Sequence, residues 1–237
     1  MKRRNFLIGS GMLAGAGLLL AARLPENPLK TLAQASTSLS EGRGSATQSA
    51  GMSPYALKPS PWAEKLISAA ESQIGVTVIY DPAYVGLGFP GGDIPRERGV
   101  CTDVVIRAYR DAFDLDLQKE VNADMKAHFS SYPKIWGHKR PDRNIDHRRV
   151  PNLQTFFRRQ GADLPVSDQP DDYLPGDIVS QMLPGSLPHM AIVTHRRSTD
   201  GKRLLLVHNI GAGTRLEDRL FDFEITGRYR YRPGTSS

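Results

Sequence analysis

The residue in this chain best equipped for chemistry is its single cysteine, Cys101. With no second cysteine to pair with, its thiol is either an inert buried hydrophobe or a working nucleophile. Its setting favours the second. Gly99 closes a Gly/Pro-rich stretch, and Thr102-Asp103 open a run with helical spacing, so the sulfur stands at a helix N-terminus. There the free amides and the helix dipole are expected to lower a thiol's pKa. Asp103 suits the dipole, but its negative charge opposes formation of a thiolate beside it.

A thiol nucleophile also calls for a base, and six histidines are available. His189 stands between Pro188 and the apolar run Met190-Ala191-Ile192-Val193, at the mouth of a strand. His195 has the same strand parity but lies roughly 20 Å further on at about 3.3 Å per residue, too far to share a site. His208 closes the next apolar run, Leu204-Leu205-Leu206-Val207, and an antiparallel hairpin returns it to the start of the preceding strand. It is then the orienting partner of His189, with Asn209 taking that place if the register shifts by one. Either ring taken alone reads better as capping a strand end without chemistry; their joint placement with Cys101 reverses that reading. His147, beside Asp146, reads as structural, because neighbouring side chains point apart and no second ligand spacing accompanies them. His128 and His138 have no partner signal.

The elements that must position these groups follow from periodicity. Helices are expected over Pro61 to Gln73, Cys101 to Phe113, Leu117 to Phe129 and Leu153 to Gln160. A short strand is expected at Val76 to Tyr80. Asp81 to Gly99 is a shaped loop, and Tyr132 to Val150, rich in Pro, His, Arg and Asp, is an ordered surface excursion. After Gly161 the pattern changes to strands at Asp177 to Met182, His189 to His195, Arg203 to His208, Leu220 to Ile225 and Arg228 to Tyr231. Helices followed by a run of neighbouring strands imply an α+β domain with an antiparallel sheet, the cysteine helix packed against it.

The N-terminus reads as a signal peptide over residues 1–35: a charged start, an apolar stretch from Ile8 to Ala22, and Ala33-Gln34-Ala35 as a cleavage site. Arg3-Arg4-Asn5-Phe6-Leu7 resembles the twin-arginine type, which implies a periplasmic location. An ordinary secretory signal or an uncleaved anchor is the alternative. Residues 36–60 form a Ser/Thr/Gly/Ala/Pro-rich tether, 61–233 the domain, and 234–237 a frayed tail. Without residues 1–35 the chain keeps 26 basic and 24 acidic residues, a net of +2 in place of +6. That removes the compositional case for nucleic-acid binding. The chain contains no phosphate loop, Cys-x-x-Cys pair or metalloprotease helix motif, so neither cofactor nor metal is expected. The mature domain is expected to be a monomer with no stable membrane span.

The turn Pro175-Gly176-Asp177 leading into Ile178-Val179, then Pro188-His189-Met190-Ala191-Ile192-Val193, then a strand ending in His208, all downstream of a helix-opening cysteine, resembles the NlpC-type, papain-like cysteine peptidases. The stretch from Ile74 to Tyr231 more closely resembles the domain-of-unknown-function family 1287, a distant branch of that superfamily. The matching segments are Tyr80-Asp81-Pro82-Ala83-Tyr84, Gly99 to Arg110, Asn144 to Leu153, and Val207-His208-Asn209-Ile210-Gly211.

The resemblance implies a papain-like fold with Cys101 as nucleophile, His189 as base and His208 as the polar third member. It also implies Tyr80 as a group positioning substrate or oxyanion. Asp103 and Asn209 are further expected substrate contacts. NlpC-type enzymes carry a small residue where Asp103 stands, and their counterpart of the 115–150 excursion is shorter. The implied chemistry is cleavage of an amide, with the peptide stems of peptidoglycan as substrate. A catalytically silent wall-binding protein on the same fold and an acyl or amide transferase are the other readings.

Overall fold

The β-branched runs of the second half assemble into one six-stranded sheet in the computed structural model, which describes residues 58–232 and 234. Its strands are β3 (Asp163–Leu164), β4 (Ile178–Leu183), β5 (Leu187–Arg197), β6 (Leu204–Asn209), β7 (Thr214–Glu217) and β8 (Glu224–Tyr229). They lie in the order β3-β8-β4-β5-β6-β7, and every neighbouring pair is antiparallel. A separate parallel pair, β1 (Ile79–Tyr80) with β2 (Arg98–Gly99), sets Tyr80 against Gly99 two residues before the cysteine.

Because successive strand side chains alternate, the sheet has two different faces. Ile178, Met190, Ile192, Val207 and Tyr229 pack against the helices, whereas Val179, Ala191, Val193, Leu204 and Leu206 bury a second cluster with Tyr173 and Leu220. The helices are α1 (Pro61–Glu71), α2 (Cys101–Phe113), α3 (Leu117–His128) and α4 (Val150–Arg159). Ser60 begins α1 by accepting the Ala63 amide, and Pro61 supplies a fixed φ at its first turn. Helix α2 turns Val104, Val105, Ala108 and Tyr109 into the core and stops where Asp114 adopts a left-handed conformation. The class is therefore α+β, with helices on one face of an antiparallel sheet. Among the described residues, no helix is long and apolar enough to cross a membrane.

Several expected boundaries shift. Helix α4 begins at Val150, three residues before the expected Leu153, because Pro151 fits its first turn. The expected strand Val76 to Tyr80 pairs only at Ile79 and Tyr80. Of the expected strand Leu220 to Ile225 only Glu224 and Ile225 are extended, as the start of β8, which runs to Tyr229 and so begins four residues before the expected Arg228. Leu220 and Phe221 owe their apolar character to covering the second sheet face, while the strand that extends the sheet is the short Thr214–Glu217. The signal-peptide residues 1–35 lie outside the described residues, as does the 36–60 tether up to residue 57 and the 234–237 tail beyond Gly234.

The turn Pro175-Gly176-Asp177 seats the sheet on α1. Gly176 has φ +90°, and a Cβ there would stand 2.6 Å from the Trp62 ring and 2.9 Å from Ala63 Cβ. Both conformation and space exclude a side chain. Gly176→Ala is expected to destabilise the fold by about 1–3 kcal/mol, read as a lower urea midpoint at unchanged slope. A midpoint within error of the parent would show that this contact is not tight.

Candidate active site

The sheet opens between β5 and β6, and the start of α2 enters the opening. Pairing of these strands reaches Ile192 with Val207 and stops there. Val193 donates to Asp177 O and accepts from Gly176 N, both at 2.8 Å on the β4 side. The Met190 amide, three residues earlier and of opposite parity, consequently points away from β4 into the gap. It lies close enough to the Cys101 sulfur to favour its ionised form. The sulfur thus sits beside the peptide that joins His189 to Met190. The next strand is tied to the same place: Asn209 Nδ2 donates to Gly99 O at 3.0 Å, and its Oδ1 accepts from Gly211 N at 3.1 Å. Asn209 is fully buried, so the expected substrate contact is in fact an internal tie between β6 and the residues preceding Cys101.

Asp103 is likewise turned inward. One oxygen accepts the Val100 amide at 2.7 Å, at the foot of α2. Arg148 grips both oxygens, Nε to Oδ1 and Nη2 to Oδ2, each at 2.9 Å. Arg148 also reaches Ala83 O at 3.2 Å and Asp81 O at 3.1 Å, fastening the shaped loop to the excursion. Asp103 is therefore one half of a buried ion pair and is not among the residues lining the cleft beside Cys101. Its counter-charge lies 45 residues downstream, which is why sequence spacing did not reveal it.

The structure reverses the expected direction of the thiol's pKa. Burial, the largest influence, pushes Cys101 up to about 11, and the Asp103 charge adds to it. The amides of Met190, Thr102 and Cys101 itself pull the other way without overcoming the loss of water. At neutral pH the resting group is a thiol.

The two expected imidazoles do come together. His189 Nε2 lies 2.8 Å from His208 Nδ1, with the rings at 70° to one another. By strand alternation both share the face of Ala191 and Leu206, opposite the helices, while the sulfur reaches the sheet at the Met190 amide. Burial, and then the neighbouring His208, drives His189 down to about 3; burial also lowers His208 in spite of Glu217 beside it. Glu217 on β7, which sequence reasoning missed, contacts His208 Nε2 at 3.0 Å and is itself held by Arg219 at 3.1 Å. A strand expected at Leu220 to Ile225 left Glu217 in a turn, so no signal pointed to it.

A cleft of about 410 Å³ opens at the sulfur. Tyr80, Tyr84, Cys101, Trp136, Arg149 and Pro188 are among its walls. Among the described residues the Tyr80 hydroxyl has no hydrogen-bond partner; partial burial pushes it up to about 12, with the Cys101 and Asp103 charges adding to the shift. The 132–149 excursion supplies Trp136, over whose ring the Arg149 guanidinium sits at 4.1 Å, so it is a wall of the cleft as well as a surface feature. Asp146 and His147 are buried beneath it. Asp146 binds the Asp142 amide, Arg149 and Asn152, and His147 is pushed down to about 4 by burial.

Residues 67–231 match a family described as a domain of unknown function, DUF1287. The chain is also 53% identical over 166 residues to the uncharacterized protein YijF of Escherichia coli strain K12, covering 70% of this chain and 80% of that one.

Three histidines buried in the neutral form set a pH dependence. The unfolded chain takes up their protons near 6.5, whereas folded His189 and His147 resist to about 3 and about 4. Below 6.5 the unfolded state binds more protons, so stability is full above that pH and falls on acidification, by up to about 1.4 kcal/mol per pH unit for each ring. Urea midpoints between pH 7 and 4.5 should record the loss, and histidine proton NMR should show His189 not titrating above pH 5. A His189 resonance that titrates near 6.5 would refute its burial.

Proposed function

The chain belongs to the DUF1287 family, and we propose that it is an exported thiol hydrolase, NlpC-type and papain-like in fold, that cleaves amide bonds in the peptide stems of peptidoglycan. The observation that carries this reading is the position of Cys101: in the wall of a cleft, at the start of α2, and with its sulfur beside the peptide that follows His189. His189 is bonded to His208 through Nε2, so Nδ1 is the nitrogen that the mechanism needs to reach the sulfur past the start of β5. The resemblance of residues 1–35 to an export signal supplies the location, and the peptidoglycan stem is the abundant amide polymer found there.

The chemistry proceeds from a neutral pair. As the sulfur attacks the carbonyl carbon, an S–C bond forms and the thiol proton passes to His189 Nδ1. The carbonyl electrons move to oxygen, where the α2 amides and the Tyr80 hydroxyl offer donors. Collapse breaks the C–N bond, and His189 returns its proton to the leaving amine. Water, deprotonated by the same ring, attacks the thioester, releases the acid and restores the thiol. An amine in place of water would make the same route a transfer.

Purified peptidoglycan incubated with the full-length protein should release paired new amine and carboxylate termini. Cys101→Ala and His189→Ala should each lower the rate by at least about a thousandfold. Release without new carboxylate would replace hydrolysis by transfer, and unaltered release by Cys101→Ala would eliminate the thiol mechanism.

A further inference from the structure

The relay does not end at His208. Its Nε2 lies 3.0 Å from Glu217 Oε2, and Arg219 Nε lies 3.1 Å from that same oxygen. A guanidinium can only donate, so this oxygen is an acceptor, and the proton of the His208 contact must sit on His208 Nε2. In a neutral imidazole the other nitrogen is then bare. Nδ1 of His208 accordingly accepts, and the donor across the 2.8 Å contact is the Nε2–H of His189. By the same rule, Nδ1 of His189 is left with its lone pair. The condition for this sequence of assignments is that both rings stay neutral, which their burial favours.

We propose that Glu217 is the positioning residue of this site: acting through two buried imidazoles, its carboxylate decides which nitrogen of His189 is unprotonated, and so keeps that ring a proton acceptor toward the nucleophile. Arg219 holds Glu217 in place, and the Glu217 side chain retains 24% of its exposure, so the carboxylate can be altered without opening the core. The use made of the acceptor rests on the reading of the chain as a thiol hydrolase. The tautomers themselves are readable with no substrate present.

The test is ¹⁵N NMR of the imidazole nitrogens in full-length protein at pH 7, for the parent and for Glu217→Gln. The parent should show His189 protonated at Nε2 and bare at Nδ1, with His208 protonated at Nε2. A glutamine amide can donate to His208 Nε2, so the variant should show both rings inverted or mixed. Peptidoglycan turnover should fall about a hundredfold or more in kcat with KM nearly unchanged, the behaviour expected of a wrong tautomer. A parent His189 carrying its proton on Nδ1 would overturn the inference whatever the fate of the variant. Rings unchanged in a folded Glu217→Gln protein would do so as well. Tautomers that switch as described in a protein inert toward peptidoglycan would uphold the role of Glu217 and defeat the hydrolase reading.

Discussion

The first turn of a helix carries amides with no partner inside the helix, and in α2 that turn is buried. Most of the surrounding structure is the consequence. The Val100 amide is met by Asp103, which, being an anion out of water, requires a cation, and Arg148 supplies it from the excursion. Thr102 Oγ1 donates to the carbonyl of that same Arg148 at 2.9 Å, so two consecutive residues of α2 are fastened to one residue of the short 3-10 turn Asp146–Arg148. Gly99 O accepts from both Asn209 Nδ2 and the Asp81 amide, and the Cys101 sulfur lies beside the Met190 amide in the gap of the sheet. The opening between β5 and β6 is therefore filled by residues 99–103.

Magnitudes decide the resting state of the nucleophile. Raising the thiol from 9.0 to about 11 corresponds to about 3 kcal/mol against a lone thiolate, and lowering His189 from 6.5 to about 3 to about 5 kcal/mol against a lone imidazolium. Even two opposite charges in contact, about 4 Å apart, would attract by only about 4 kcal/mol at an effective dielectric constant near 20. That is less than the combined cost, so both groups rest neutral. On the proposed thiol-hydrolase reading, charge would separate only when a carbonyl is present to accept the sulfur's electrons and pass the charge to oxygen, with the base acting during attack.

Helix α2 was legible from sequence to both ends, since a glycine-closed loop, an apolar stripe and the cysteine at its head all agree. The meeting of His189 with His208 was legible too. With the register as formed, Ile192 opposite Val207, both lie on one face, and the diagonal offset of two residues remains within reach of imidazole rings; a slip of one would have put Asn209 there instead. What escaped was long-range and polar. Arg148 is one of several arginines in a segment with no periodicity, and nothing in its neighbours announces a partner 45 residues away. Glu217 was lost through a strand of four residues, Thr214–Glu217, outcompeted in pattern by the apolar cover at Leu220 and Phe221. The sign of the Cys101 shift failed for a different reason. Position at a helix start is visible in sequence, but burial is not, and burial is the larger effect.

Arg148 joins two properties that might have been independent. Its guanidinium neutralises Asp103 at the foot of α2, and the same side chain lines the cleft beside Cys101. Truncating it to open the cleft would leave Asp103 as an unpaired buried anion, at a cost of about 3–5 kcal/mol, and would release the carbonyls of Asp81 and Ala83 that shape the loop carrying Tyr80. Arg149, one residue on, is bound by the same rule: it lies over Trp136 and is the cation beside Asp146, a carboxylate only 4% exposed. Variation in what the cleft accommodates can therefore proceed through Trp136, while Arg148 and Arg149 are each constrained by the buried anion it neutralises. The excursion is in this sense two structures in sequence: an aromatic wall free to change, and a pair of anchors that are not.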